Sequence, residues 1–190
     1  MRSAAEKYEP AGYEILLARL VFMLCGKWVY KEYANRLPLY GGERVLDFGC
    51  GIGGVAYYTA KRLPQGHLTC VDISHRCLSV CRKTLRSYSN VQFLQRGLTA
   101  PEFLKVSFDI IYCHFVLHDI PENELDQVIP ALGKCLKQNG VFTFCEPLKE
   151  TKVLSKIKSL AEQNGLYLKD SRITDIPIMG NTLESVYIKL

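Results

Sequence analysis

The stretch Val45-Leu-Asp47-Phe-Gly49-Cys-Gly51-Ile-Gly53-Gly54 decides how this chain folds. Its first half is short and apolar, the mark of a buried strand running from Arg44 to Phe48. Its second half places glycines where the backbone must turn sharply from strand to helix and where a ligand can approach the peptide itself. A helix to about Leu63 follows, and its first N–H groups would be free for that ligand. In a doubly wound sheet, ligands bind at the carboxyl ends of the strands, near such a loop. Gly49, Gly51 and Gly54 also satisfy the GxGxxG spacing of dinucleotide sites, so the loop alone leaves the ligand open.

Working outward, short runs rich in Val, Ile and Phe alternate with amphipathic segments, as in a βα-repeating, mostly parallel sheet. Strands are predicted at 67–71, 91–95, 108–113 and 141–145, with helices at 75–88 and 151–164. Leu125, Val128, Ile129, Leu132 and Leu136 make a helical stripe between Pro121 and Asn139-Gly140, a pair that suits a helix end. Pro130 inside that stripe should kink or break the helix. Two closing strands, 166–174 and 183–190, are joined too briefly to be parallel. Gly12 to Arg36 reads as one or two helices, either packed on the sheet or roofing a ligand cleft. The expected organisation is one domain: residues 1–40 as a helical segment covering the cleft, and 41–190 as the α/β body.

Composition narrows the classes. Of 190 residues, 48% are hydrophobic and 23% charged, which excludes a disordered or fibrous chain. A net charge of +5, without a run of like charges, gives no reason to expect nucleic acid as a partner. The apolar stretch from Ile15 to Cys25 is too short to span a bilayer. The eight cysteines contain no CxxC pair and accompany no secretory-signal pattern, so free thiols and a cytoplasmic location are expected. Cys77 and Cys81 share a helical face but no second ligand pair accompanies them, so no metal is expected. A metalloid held by Cys50, Cys113 and Cys145 is a weaker reading than chance placement.

Two acids favour one ligand over a dinucleotide. Asp47 precedes the first glycine, where a carboxylate would repel a pyrophosphate and attract an ammonium group. Asp72, in Val71-Asp-Ile-Ser74, ends the second strand and can accept from two ribose hydroxyls. The ordered set VLDFGCGIGG, VDIS, FDIIYCHFVLHDIP and LKQNGVFTFCEP resembles the motifs of class I S-adenosylmethionine (SAM)-dependent methyltransferases, nearest to quinone-biosynthesis and similar small-molecule enzymes. The resemblance covers about residues 40 to 190. It implies a Rossmann-like, doubly wound seven-stranded sheet, mostly parallel with an antiparallel C-terminal hairpin and helices on both faces.

It also implies SAM as cofactor and S-adenosylhomocysteine (SAH) as product. Gly49, Cys50, Gly51 and Gly53 would lie against the methionine part, Asp47 would face its ammonium, Asp72 would hold the ribose diol, and Ile73 would pack on adenine. Leu98 and Cys113 would also belong to the cofactor site. Leu98 stands where the family often has an acid reading the adenine amino group, which would leave adenine to backbone groups and packing.

For the acceptor, His114 follows the fourth strand and is a candidate base; alternatively it only lines the cleft. His118 fits the family's Leu-His-apolar pattern and reads equally as a packing or capping residue. Tyr8 and Tyr13 would reach over the cleft as tyrosines do in relatives, and Glu146 would line the acceptor pocket or cap a helix. Cys113-His-Phe-Val stands where nucleobase amino-methylating enzymes carry [DN]PPY. The expected activity is therefore methyl transfer to a small, hydrophobic or aromatic acceptor. The alternatives are a methyltransferase acting on protein or RNA, a non-catalytic SAM-binding protein, and a dinucleotide oxidoreductase.

Overall fold

The computed structural model describes residues 9–95 and 107–190. Helix α1 (Gly12–Gly26) passes through a π-helical turn (Lys27–Lys31) into α2 (Glu32–Arg36). Then come β1 (Arg44–Phe48), α3 (Gly54–Lys61), β2 (His67–Asp72), α4 (His75–Thr84) and β3 (Val91–Gln95). The second half holds β4 (Phe108–His114), a 3₁₀ turn (Leu117–Asp119), α5 (Glu122–Cys135), β5 (Leu136–Pro147), α6 (Thr151–Gln163), β6 (Leu166–Ile176) and β7 (Gly180–Lys189).

The strands stand in the order β3-β2-β1-β4-β5-β7-β6. β3 pairs parallel to β2 and β5 parallel to β4, while β7 is antiparallel to both β5 and β6. This is the mixed, Rossmann-like sheet that the sequence predicts. Two compact units are distinguished: one takes the chain up to Glu43 and the stretch from Asp47 through β3, the other Arg44–Leu46 and everything from β4 onward.

In the first unit, β2 buries Leu68, Thr69, Cys70 and Val71 in succession, the pattern of a strand covered on both faces. The α4 stripe Leu78, Cys81 and Leu85 is buried as its spacing predicts. Arg62 donates from its guanidinium to the carbonyls of Ala34, Leu37 and Leu39, placing a cation on acceptors that the end of α2 leaves open. The N-terminal helices buck the packed-helix expectation along part of their length. Phe22, Val29 and Tyr33 turn inward, with the Phe22 ring 5.7 Å from that of Tyr57. Tyr13, Leu16, Leu17, Leu20, Met23, Leu24 and Trp28 are instead 48–75% exposed.

The second unit buries Ile110, Ile111, Tyr112 and Cys113 of β4 and Phe142, Phe144 and Cys145 of β5. Leu125, Ile129 and Leu132 of α5 and Leu154, Ile157 and Ala161 of α6 form the inward helical faces. Lys189 caps the end of α5 by donating to the carbonyls of Gly133 and Leu136 at 2.7 and 2.8 Å.

One local expectation is narrowed and another corrected in this unit. Helix α5 runs through Pro130 without breaking. The carbonyl that loses its donor belongs to Asp126, an exposed residue on the helix's solvent side. The helix ends at Cys135, not at Asn139-Gly140, and Leu136 is already a strand residue. Leu136 pairs with Phe108 and Val141 with Ile110, so 137–140 form an irregularity opposite one residue of β4. Asn139 adopts φ 60°, and the turn chemistry of Asn-Gly is spent on that bulge.

Candidate active site

In the first unit, Gly49, Gly51 and Gly53 have φ of 76°, 52° and 85°, the left-handed region where a Cβ is strained. Gly54 permits a close approach: a Cβ there would stand 2.8 Å from the Tyr30 ring. The turn is tied down from within. Gly49 and Cys50 donate to the carbonyl of Val71 at 2.9 and 3.0 Å, and Gly53 donates to that of Cys50 at 2.9 Å. Gly51 donates to Asp72 Oδ2 at 2.8 Å. These four N–H groups belong to the turn ahead of α3, which begins at Gly54, so they leave the expectation of free donors at the helix start as it stands.

Asp72 ties two loops together. Its Oδ1 accepts from Ser74 N–H at 2.8 Å while Oδ2 holds Gly51. Burial raises its pKa above the ordinary 3.8, against the lowering effect of those two N–H donors. A half-buried carboxylate with two backbone bonds keeps acceptor capacity for hydroxyl donors. Asp47 is buried at 2% exposure, and its charge raises the pKa of the neighbouring Cys70 thiol alongside burial, the larger cause. Ile73 is half-buried, with its carbonyl 3.5 Å from Gln95 Nε2.

Glu9 completes this lip. Its carboxylate accepts from Ser74 Oγ at 3.1 Å and from His75 N–H at 2.6 Å, at the positive end of α4. Nothing in the sequence singled Glu9 out, because its partners lie about 65 residues away and its own segment has no periodicity. Beneath the loop, Cys50, Cys70 and Cys81 bring their Sγ atoms within 4.8 Å of one another. Spacing had paired Cys77 with Cys81 and gave no sign of this trio. Hydrogen bonds from Cys50 and Cys70 pull the Cys81 thiol below its ordinary range, and burial pushes the other two up.

In the second unit, Glu146 ends β5 with no exposed surface. Its Oε1 accepts from the N–H groups of Val116 and Leu117 at 3.0 and 2.7 Å, and its Oε2 lies 2.5 Å from His118 Nδ1. His118 Nε2 is 3.5 Å from Asp119 Oδ1. Burial works against the His118 cation, but the bond to Glu146 and the charges of Glu146, Asp119 and Glu150 outweigh it and raise the pKa above 6.5. His114 is 9% exposed at the end of β4, edge-on to Phe115 at 4.6 Å between ring centres. Phe115 itself adopts φ 54°, an uncommon state for a bulky residue, and is pinned by donating to the carbonyl of Cys145. Cys113 is fully buried in β4.

The structure thus brings Gly49, Cys50, Gly51, Gly53 and Asp72 together in one unit, and His118 with Glu146 in the other. Tyr13 is 72% exposed on α1. Tyr8 and Leu98 lie outside the described residues. All eight cysteines are free thiols. Among the described residues no helix is long and apolar enough to cross a membrane.

Comparisons with known proteins bear on this arrangement. The family described as methyltransferase domain matches residues 45–140. Phosphoethanolamine N-methyltransferase 1 of Triticum aestivum is 34% identical over 83 residues, 43% of this chain and 16% of that protein. Demethylmenaquinone methyltransferase of Lactobacillus johnsonii is 26% identical over 131 residues, 67% of this chain and 53% of its own length. The chain thus spans about half or less of these curated relatives. The crystal structure of a TehB-like SAM-dependent methyltransferase from Corynebacterium glutamicum superposes with a TM-score of 0.76 at 17% identity, covering 98% of each chain. That likeness fixes the fold, the family match covers just over half the sequence, and the chain belongs to the methyltransferase domain family, with the Rossmann-like fold of SAM-dependent enzymes.

Proposed function

We propose that this protein transfers a methyl group from SAM to a small, hydrophobic or aromatic acceptor. The observation that carries the reading is the glycine loop tied to Asp72, with Asp47 buried at the strand end before it. Two carboxylates at this loop suit a cationic amino-acid head and a ribose diol, both of which SAM carries, and would repel a pyrophosphate. SAM supplies a methyl on a positively charged sulfur that leaves as a neutral thioether, so the protein's task is chiefly to hold donor and acceptor in line, with effective molarities that can reach about 10⁵ M.

Each residue then has a role. Gly49, Cys50, Gly51 and Gly53 hold the methionine part, Asp47 faces the ammonium, Asp72 takes the ribose diol and Ile73 packs on adenine; Cys113 and Leu98 belong to the same site. His114 positions the acceptor or takes its proton. His118, held by Glu146 and biased toward its cation, is suited to orienting an electron-rich acceptor atom. Tyr13, with Tyr8, contributes to covering the acceptor, and the exposed apolar side of α1 favours an apolar molecule. The relatives named for demethylmenaquinone and phosphoethanolamine methylation support a small-molecule acceptor. A cytoplasmic location fits this reading.

Thermal-shift titrations with SAH and with NAD test the donor, since a ligand binding only the native state raises Tm. SAH should stabilise and NAD should not; the reverse would overturn the reading. Radiolabelled SAM incubated with the protein and cell extract should label a small molecule. Label confined to protein or RNA would overturn the acceptor class.

A further inference from the structure

The thiols of the first unit converge from three separate elements: Cys50 from the glycine loop, Cys70 from β2 and Cys81 from α4. Their Sγ atoms lie within 4.8 Å of one another, and the residues are 7%, 0% and 0% exposed. Three sulfurs bound to one ion at about 2.3 Å stand about 4 Å apart in a plane around it. The observed separations need only a small closure to reach that. Gly53 keeps the place open, because a Cβ there would stand 2.9 Å from Cys81 Sγ.

We propose that Cys50, Cys70 and Cys81 form a three-thiolate site for a soft cation, and that Cu(I) is the ion it fits. The ligand set is all sulfur, which excludes hard cations such as Mg²⁺ and Ca²⁺. It numbers three among the described residues, short of the four ligands that structural Zn²⁺ takes. Each ligand that binds exchanges its S–H bond for an S–Cu bond and releases a proton to solvent, with no change of oxidation state. Cys50, the one residue of the three with any exposed surface, marks the side from which the ion enters. The site stands whether or not the donor is SAM.

The test is an anaerobic titration of the full chain with Cu(I) in competition with bathocuproine disulfonate, followed by the ultraviolet thiolate-to-copper band. One Cu(I) per chain is expected. Affinity should fall at least 100-fold in Cys81→Ala and stay within three-fold in Cys77→Ala, which changes a thiol outside the trio on the same helix. Circular dichroism establishes that each variant is folded, and Cys70→Ala serves if Cys81→Ala is not. A folded Cys81→Ala or Cys70→Ala binding Cu(I) as tightly as the parent would overturn the site. So would equal loss in Cys77→Ala, failure to hold Cu(I) against the chelator, or four-coordinate Zn²⁺ binding more tightly than Cu(I).

Discussion

Asp72 and Glu146 close strands in different units and perform the same mechanical task on different loops. Each accepts two backbone N–H groups: Gly51 and Ser74 for Asp72, Val116 and Leu117 for Glu146. They differ in what remains. Asp72 is half-buried and retains lone pairs for an incoming ligand. Glu146 has no exposed surface and gives its second oxygen to His118. A strand-end carboxylate can therefore recognise a ligand or tune a neighbour, and the share left open to solvent decides which.

The sharpest way to break that contrast is Asp72→Ala. A hydrogen bond to a charged group contributes about 1.5–3 kcal/mol, so SAH affinity by calorimetry should fall roughly 10- to 100-fold. Glu146→Gln should leave it within about two-fold. Equal losses would show that both carboxylates act only as loop supports.

Gly53→Ala comes next. Its left-handed φ costs an alanine about 1–2 kcal/mol, and its Cβ would meet Cys81 Sγ. Unfolding should shift down by roughly 2–8 °C in calorimetry. An unchanged Tm would mean that the loop relaxes freely and that its geometry does not depend on glycine.

A smaller effect is expected for pH dependence in the second unit. His118 holds its proton more tightly when folded, so its contribution to stability is fully present below pH 6.5 and is lost as pH rises through the raised folded value. Glu146→Gln should lower the His118 titration, followed by NMR, and flatten that part of the stability profile. A His118 titration unmoved by the substitution would remove Glu146 as its partner. The smallest change is expected for Tyr13→Ala, with stability within about 0.5 kcal/mol because the side chain is largely exposed. A raised acceptor KM at unchanged Tm would support its covering role.

How much of this was legible in the sequence follows from distance along the chain. The glycine loop is local: ten consecutive residues contain the strand end, the turn and the helix start, so their reading needs no tertiary information. Asp72 was found because it ends a strand by itself. The hold of Glu146 on His118 spans 28 residues, and that of Glu9 on His75 spans 66. The Cys50–Cys70–Cys81 group likewise depends on how a loop, a strand and a helix meet. At Pro130 the break, one of two expected outcomes, does not occur, and at Asn139-Gly140 the helix end is displaced, both for another reason. Their local preferences are genuine, but a solvent-facing carbonyl tolerates the first and a strand bulge uses the second.

The π-helical turn at Lys27–Lys31 is a matter of phase. Each α-helical residue advances the chain by about 100° around the axis, so one residue accommodated by the wider turn rotates everything before it relative to α2. Tyr13, Leu16 and Met23 before the turn are exposed, while Val29 within it and Tyr33 after it are buried. Shortening the turn by a single residue would swing the oily side of α1 about a quarter-circle without altering its composition. An angular setting, and not hydrophobicity, governs what that helix shows to its surroundings.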